Sequence, residues 1–248
     1  MQTILIIDMS VYFRRAYYNQ PMYPVSSLMD TLKTLLDVHH PHERIAALDY
    51  GRESWRNQIY PAYKGNRPPP DPAYAAEVPA MREMLDTLKI PCYERQGAEA
   101  DDVIGSLCRE LPDTYQKIIC SPDKDLLQLV DDKQHVIQWD AAQTLTEATV
   151  PNKMGVFPRA IPDLLALAGD IVDNIPGVAG IGRKQAVSLL QEFGTLDSIY
   201  EQISELPTRT RTLLNAGREN AYLSKALATI KTDLNILGET ATSNNERK

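Results

Sequence analysis

The chain has 248 residues, of which 43% are hydrophobic and 24% charged, and a formal net charge of −7. That length suits one large α/β domain or two small ones. No apolar run is long enough to span a bilayer and no basic leader opens the chain, which sets a membrane protein aside and points to the cytoplasm. Cys92, Cys108 and Cys120 are scattered and odd in number, so they read as reduced thiols and not as a disulfide framework or a zinc site.

In chain order, Thr3–Ile7 is a continuous apolar run that ends in Asp8. Leu28, Leu32, Leu35 and Leu36 then recur at helical spacing. A second run, Arg44–Leu48, ends in Asp49. Residues 60–72 (YPAYKGNRPPPDP) are proline-rich and predict a loop. Val78, Met81, Leu85 and Leu88 mark another helix, and Lys117–Cys120 a third strand, followed by Ser-Pro-Asp123. Such runs suit strands buried on both faces of a parallel sheet. Their alternation with helices predicts an α/β fold over 1–150. From 151 to 238 the pattern changes to short helices with Gly and Pro turns, and 239–248 has the composition of a disordered tail. His39, His40 and His42 read as a surface loop and not as a metal cluster.

Each strand run ends in an aspartate, and parallel strands bring their carboxyl ends to one edge of a sheet. Taken singly, such an aspartate is more often a turn residue or helix N-cap. Three clusters add to them: Glu99, Asp101 and Asp102 where a loop enters a helix, Asp123 with Asp125, and Asp170 with Asp173. Residues three apart share a helix face, and residues two apart share one side of an extended chain. The nine carboxylates would repel if gathered, and divalent cations remove that cost. Oxygen ligands without His or Cys select hard ions such as Mg²⁺ or Mn²⁺. Nine are too many for one Mg²⁺, so two or more ions are implied; a pair about 4 Å apart activates a water and stabilises the leaving oxygen of a phosphodiester. The plainer alternatives are a helix-start charge cluster at 99–102 and a solvated turn at 123–125. If the nine acids sit around cations, 24 of the 33 acids remain against 26 bases, so overall acidity does not exclude a nucleic-acid partner.

Residues 174–186 (NIPGVAGIGRKQA) place Gly177, Gly180 and Gly182 in a tight turn, with Lys184 opening the following helix. The spacing fits neither a Walker loop nor a dinucleotide fingerprint. It fits a helix-hairpin-helix, whose free backbone N–H groups hold a DNA phosphate; the alternative is a turn needing glycine for geometry alone. Arg52, Arg56, Lys64 and Arg67 interleave with Tyr50, Trp55, Tyr60 and Tyr63, a combination suited to single-stranded nucleic acid or, more plainly, a solvated loop with core aromatics.

Five segments, in this order, resemble the bacterial and phage 5′-3′ exonucleases of the flap-endonuclease family, including the 5′-nuclease domain of DNA polymerase I: IID followed by RRAYY, LDY with WRNQIYPAYKGNRPPPDP, GAEADD, SPDKDLLQLV, and LAGDIVDNIPGVAGIGRKQA. The resemblance runs from about Ile4 to Ile236. It implies a PIN-like domain with a mainly parallel sheet, a helical arch and a C-terminal helix-hairpin-helix region. It also implies a structure-specific nuclease acting on DNA at 5′ ends, flaps and nicks, working as a monomer. Carried over by position, Asp8, Asp49, Glu99, Asp101, Asp102, Asp123, Asp125, Asp170 and Asp173 are the implied metal carboxylates. Lys64 and Arg67 are the implied phosphate-orienting cations, with Asp8 and Asp101 also in the catalytic set. Arg15, Arg56, Tyr63 and the hairpin residues Gly177, Gly180, Gly182 and Lys184 are the implied DNA contacts, with K⁺ at the hairpin. Met9 stands where the family has a small residue, and the arch region is short. Small stand-alone relatives that have lost several carboxylates suggest the rival reading, a catalytically weak branched-DNA binder; all nine positions are kept here. A phosphohydrolase acting on small phosphates is the other rival, and it has no use for a duplex clamp.

Overall fold

The computed structural model describes residues 1–69 and 71–238. The expected tail at 239–248 lies outside the described residues. A six-stranded sheet runs in the order β3-β2-β1-β4-β5-β6. Its strands are β1 (Gln2–Asp8), β2 (Glu43–Ala47), β3 (Cys92–Tyr93), β4 (Tyr115–Cys120), β5 (Val136–Trp139) and β6 (Thr144–Leu145). The first five are parallel and β6 is antiparallel to β5. β1 sits at the centre and its apolar run serves two cores by alternation. Leu5 and Ile7 pack with Phe13, Leu28, Leu32 and Leu85 on one face. Ile4 and Ile6 pack with Val103, Ile104 and Leu107 on the other.

The helices that supply these side chains are α1 (Met9–Asn19), α2 (Pro24–His39), α4 (Pro72–Thr87) and α5 (Ala100–Glu110), and the short α3 (Trp55–Ile59) lies between β2 and α4. The C-terminal region comprises α6 (Val150–Met154), α7 (Ile161–Ala168), α8 (Arg183–Phe193), α9 (Leu196–Glu201), α10 (Thr208–Ala216) and α11 (Arg218–Ala228). These surround a third core, into which Tyr63, Leu127, Val130 and Leu145 also reach from the sheet region. The segment between α3 and α4 is where an arch is expected. It is a series of turns closed by Tyr63 N–Tyr60 O, Gly65 N–Ala62 O and Arg67 N–Lys64 O bonds, followed by α4.

After α11 the chain returns along α5 and is stitched to it at helical spacing. Lys231 N donates to Asp102 Oδ1 at 2.9 Å, Leu234 N to Ser106 Oγ at 3.2 Å, and Ile236 N to Glu110 Oε1 at 2.8 Å. A Cβ at Gly105 would stand 2.7 Å from Ile230 Cγ2 and 2.9 Å from Lys231 O, so this close approach requires glycine.

Candidate metal centre

The aspartate at the end of β1 does two things at once. Asp8 is the N-cap of α1, with Oδ1 accepting from Val11 N at 3.1 Å, while Oδ2 accepts from Ser121 Oγ at 2.7 Å. Asp8 is thus a helix N-cap that also lines the cavity at the strand edge. Asp49, just past β2, accepts from Ala100 N at 2.8 Å and so ties β2 to the start of α5. Asp123 follows β4, and Oδ1 accepts from Asp125 N at 2.9 Å. Asp8, Asp49, Glu99, Asp101 and Asp123 line one cavity of about 80 Å³, together with Lys64, Arg67 and Arg14.

Asp125, Asp170 and Asp173 lie on the side of the C-terminal region. Asp170 and Asp173 are not on one helix face, because α7 ends at Ala168 and Gly169 breaks it with φ +70°. They occupy a turn in which Asp170 Oδ1 accepts from Val172 N at 2.7 Å. Asp123 and Asp125 are likewise not on an extended chain; Asp125 opens a 3-10 turn that runs to Leu129. Three cations hold this region together. Lys64 Nζ donates to Glu99 Oε2 at 2.6 Å, Arg67 Nη2 to Asp173 Oδ1 at 2.5 Å, and Lys124 Nζ to Asp170 Oδ2 at 2.6 Å. As the side chains stand, no three acids among the described residues converge closely enough to hold one ion. The physical reason is mutual repulsion, which spaces the carboxylates and draws lysine and arginine between them.

Burial raises Asp8 to about 7, with Asp49 and Asp123 adding to the rise against the hydrogen bonds from Ser121 and Val11. Burial also raises Asp125 to about 7, helped by the charge of Asp123. Asp101 is pushed well up by burial and then by Asp123 and Asp8. Glu99 behaves oppositely: burial opposes its ionisation, but Lys64 and Arg56 outweigh it and the pKa falls.

Four positions implied by the resemblance are placed elsewhere. Asp102 is fully buried and faces away from the cavity, bonded at both oxygens to Arg56 (2.8 and 2.9 Å) and also to Trp55 Nε1 and Lys231 N. It is a buttress with no free oxygen for a metal. Arg56, 2% exposed, spends its guanidinium on Asp102 and on the Leu227 carbonyl, so it cannot reach DNA. Tyr63 is 4% exposed; its hydroxyl lies 3.2 Å from Glu99 Oε2 and its ring is in the third core, unavailable to a base. Gly177 is buried with φ +62°, and a Cβ there would overlap the backbone of Gly169; it shapes the hairpin and offers no surface.

Gly180, Gly182 and Lys184 are exposed, with Gly182 as N-cap of α8. Arg15 is exposed but does not line the cavity, whereas its neighbour Arg14 does, 3.9 Å from Asp49 Oδ2. Arg14 and Ser10 are the wall residues that sequence reasoning missed. Their spacing of four on one helix, behind a strand-end aspartate, is the signal that finds them.

Two family models match the chain: the 5′-3′ exonuclease N-terminal resolvase-like domain over residues 3–155, and the 5′-3′ exonuclease C-terminal SAM fold over residues 156–246. A 5′-3′ exonuclease of Buchnera aphidicola is 35% identical over 250 residues, covering 94% of this chain and 82% of its own. The flap endonuclease Xni of Serratia proteamaculans is 35% identical over 238 residues, covering 95% of each chain. Among solved structures, the bacteriophage T5 5′-exonuclease with bound zinc superposes with a TM-score of 0.78 at 25% identity, over 92% of this chain and 89% of that one. These matches agree with the PIN-like sheet, the carboxylate edge and the hairpin: the chain belongs to the 5′-3′ exonuclease family.

Proposed function

We propose that this protein is a divalent-metal-dependent, structure-specific 5′ nuclease that hydrolyses DNA at 5′ ends, nicks and flaps. The observation that carries the reading is the convergence of Asp8, Asp49, Glu99, Asp101 and Asp123 on one cavity beside Lys64 and Arg67. The donor set fits hard dications. It is all oxygen, it contains carboxyls that burial drives towards protonation, and Asp125 Oδ1 is buried with no hydrogen-bond partner. Asp8, Asp49, Glu99, Asp101 and Asp123 would hold one part of a set of two or more Mg²⁺ or Mn²⁺ ions, and Asp125, Asp170 and Asp173 another. When bound, such ions lower the pKa of a water and stabilise charge on the phosphate and the leaving oxygen.

The chain's own cations do the rest. Lys64 takes φ +54°, and its backbone N–H is fixed by the Asp173 carbonyl at 2.9 Å. Its ammonium therefore stands at the cavity wall, where it donates to a non-bridging phosphate oxygen once Glu99 releases it. Arg67 is placed by the same turn and offers two parallel N–H donors to a phosphate. The exposed start of α8, with Gly182 and Lys184, holds the phosphate backbone of the adjoining duplex. A complex of the T5 flap endonuclease with DNA and metal ions, superposed at a TM-score of 0.75 and 25% identity, supports both partners.

The test is cleavage of an end-labelled 5′-flap duplex with Mg²⁺, and with EDTA as the control. Junction-sized products that require Mg²⁺ are expected. Lys64→Ala should slow cleavage about 100-fold or more, the loss typical of one transition-state donor. Flap binding without any cleavage by the wild-type chain would instead establish a branched-DNA binder.

A further inference from the structure

One buried side chain is foreign to the apolar core in which it stands. Gln138 on β5 is 1% exposed. It follows Val136 by two and so shares the face of the sheet on which Val136 packs with Val103, Ile104 and Leu107. An apolar side chain would serve that core, whereas a buried amide is costly unless its groups are paired. Both Nε2 protons go to one turn: to the Ser121 carbonyl at 2.8 Å and to the Asp123 carbonyl at 2.6 Å. Oε1 is buried with no hydrogen-bond partner among the described residues. Turned over, the amide would set Oε1 against two carbonyl oxygens, so the turn fixes its orientation.

The turn that Gln138 holds joins two of the cavity's acids. Ser121 prolongs the β4–β5 ladder, its N–H donating to the Trp139 carbonyl at 3.1 Å. The register that pairs Ile7 with Cys120 brings it beside Asp8. Its hydroxyl then donates to Asp8 Oδ2 at 2.7 Å and accepts from Asp123 N at 3.1 Å. A continuous set of bonds therefore runs from β5 through Ser121 to the residues that follow β4 and end β1. Asp8 and Asp123 both line the carboxylate cavity, and like charges there push apart. A fully buried hydroxyl bonded to both residues, and anchored by a buried amide, opposes that spreading. Neither Ser121 nor Gln138 lines the cavity, so both act through the acids.

We propose that Ser121 and Gln138 are positioning residues of the metal centre, holding the Asp8 and Asp123 carboxylates together as ligands for a divalent cation. That role presupposes the divalent-metal reading of those acids. The direct measurement is calorimetric titration of the DNA-free full chain with Mn²⁺, beside urea unfolding of each variant. Ser121→Ala and Gln138→Met should each weaken Mn²⁺ binding about 10-fold or more, the usual loss when a partner of a metal ligand is removed. Ser121→Thr keeps the hydroxyl and should recover most of the affinity. Gln116→Ala removes a comparable bond at the other end of β4, from Nε2 to the His135 carbonyl at 2.9 Å, and should keep wild-type affinity. In flap cleavage at limiting Mg²⁺, Ser121→Ala should lower kcat with KM for the duplex little changed, and excess Mg²⁺ should restore part of the rate. A purely structural part would lower the urea midpoints and leave the Mn²⁺ affinity of the folded variants unchanged, and that result overturns the proposal. If Gln138→Met does not fold, Ser121→Ala, which removes a single oxygen, decides alone. Mn²⁺ binding by the wild type with equal affinity in Ser121→Ala overturns the positioning role and leaves the metal reading standing; no Mn²⁺ binding by the wild type overturns both.

Discussion

Asp102 and Asp101 are adjacent in sequence and opposite in role. Asp101 looks into the carboxylate cavity, while Asp102 sits at the third position of α5, where its side chain reaches back to Glu99 N and closes a capping box. The same carboxylate takes two bonds from Arg56 and one from the returning chain at Lys231. A buried pair of this kind contributes little over an apolar substitute, but leaving one member alone is costly. Arg56→Ala and Asp102→Ala should each destabilise the protein by about 3–5 kcal/mol in urea unfolding, and the double variant by less than the sum of the two. Asp101→Ala should leave the unfolding midpoint near or above wild type, since burial works against that charge. Similar losses in all three would show that Asp102 has no special structural part.

The glycine-rich hairpin is an element in which Gly177 and Gly182 have different reasons to be glycine. Gly177 combines φ +62° with a contact against Gly169 that leaves no room for a methyl group. Gly182 has ordinary backbone angles, and nothing lies within 4 Å of where its Cβ would be. Gly177→Ala should therefore cost at least about 2 kcal/mol of stability, from strain and overlap together. Gly182→Ala should stay within about 1 kcal/mol of wild type, as substitution at a helix N-cap allows. Its effect should appear in duplex affinity, because a methyl group there stands between the α8 N–H groups and a phosphate. Thermal unfolding and duplex anisotropy on both variants check the contrast; equal stability losses would refute it.

Across the whole molecule, the acid cluster opposes the fold that builds it. Asp8 and Asp125 rise to about 7 and Asp101 rises with them, each through burial first and neighbouring charge second. Between about pH 4 and 7 Asp8 and Asp125 keep their protons in the folded chain and lose them in the unfolded one. The folded state then binds more protons, so unfolding free energy falls as pH rises through this window. Glu99 and Asp170 are shifted down, and their contribution is lost only as pH falls below the ordinary carboxylate range. The metal-free protein should thus have a lower Tm at pH 8 than at pH 5. Mn²⁺ should raise Tm more at pH 8, where its ligands are ionised. Asp8→Asn should flatten the pH dependence and raise the metal-free Tm at pH 8 while abolishing cleavage. A Tm that does not change with pH or Mn²⁺ would mean that the cluster is not under this strain.

The sequence by itself determined the sheet and the edge at which the site forms. Apolar runs of strand length, each closed by Asp8, Asp49 or Asp123, force buried parallel strands and put their aspartates at one end, whatever the packing details. It also placed a glycine turn between two helices at residues 174–186, excluding a Walker loop and a dinucleotide fingerprint. Which face each side chain takes was left to the tertiary structure. Neighbours such as Asp101 and Asp102, or Arg14 and Arg15, differ by about 100° around a helix, and only the packed partner says which one meets the cavity. For Asp102 that partner is Arg56, 46 residues away, joined by the chain returning from α11. For Tyr63 it is a core assembled mostly from residues beyond 150. Side-chain periodicity is local and so can be read along the chain, whereas burial and pairing depend on contacts between distant segments that exist only once the whole chain has folded.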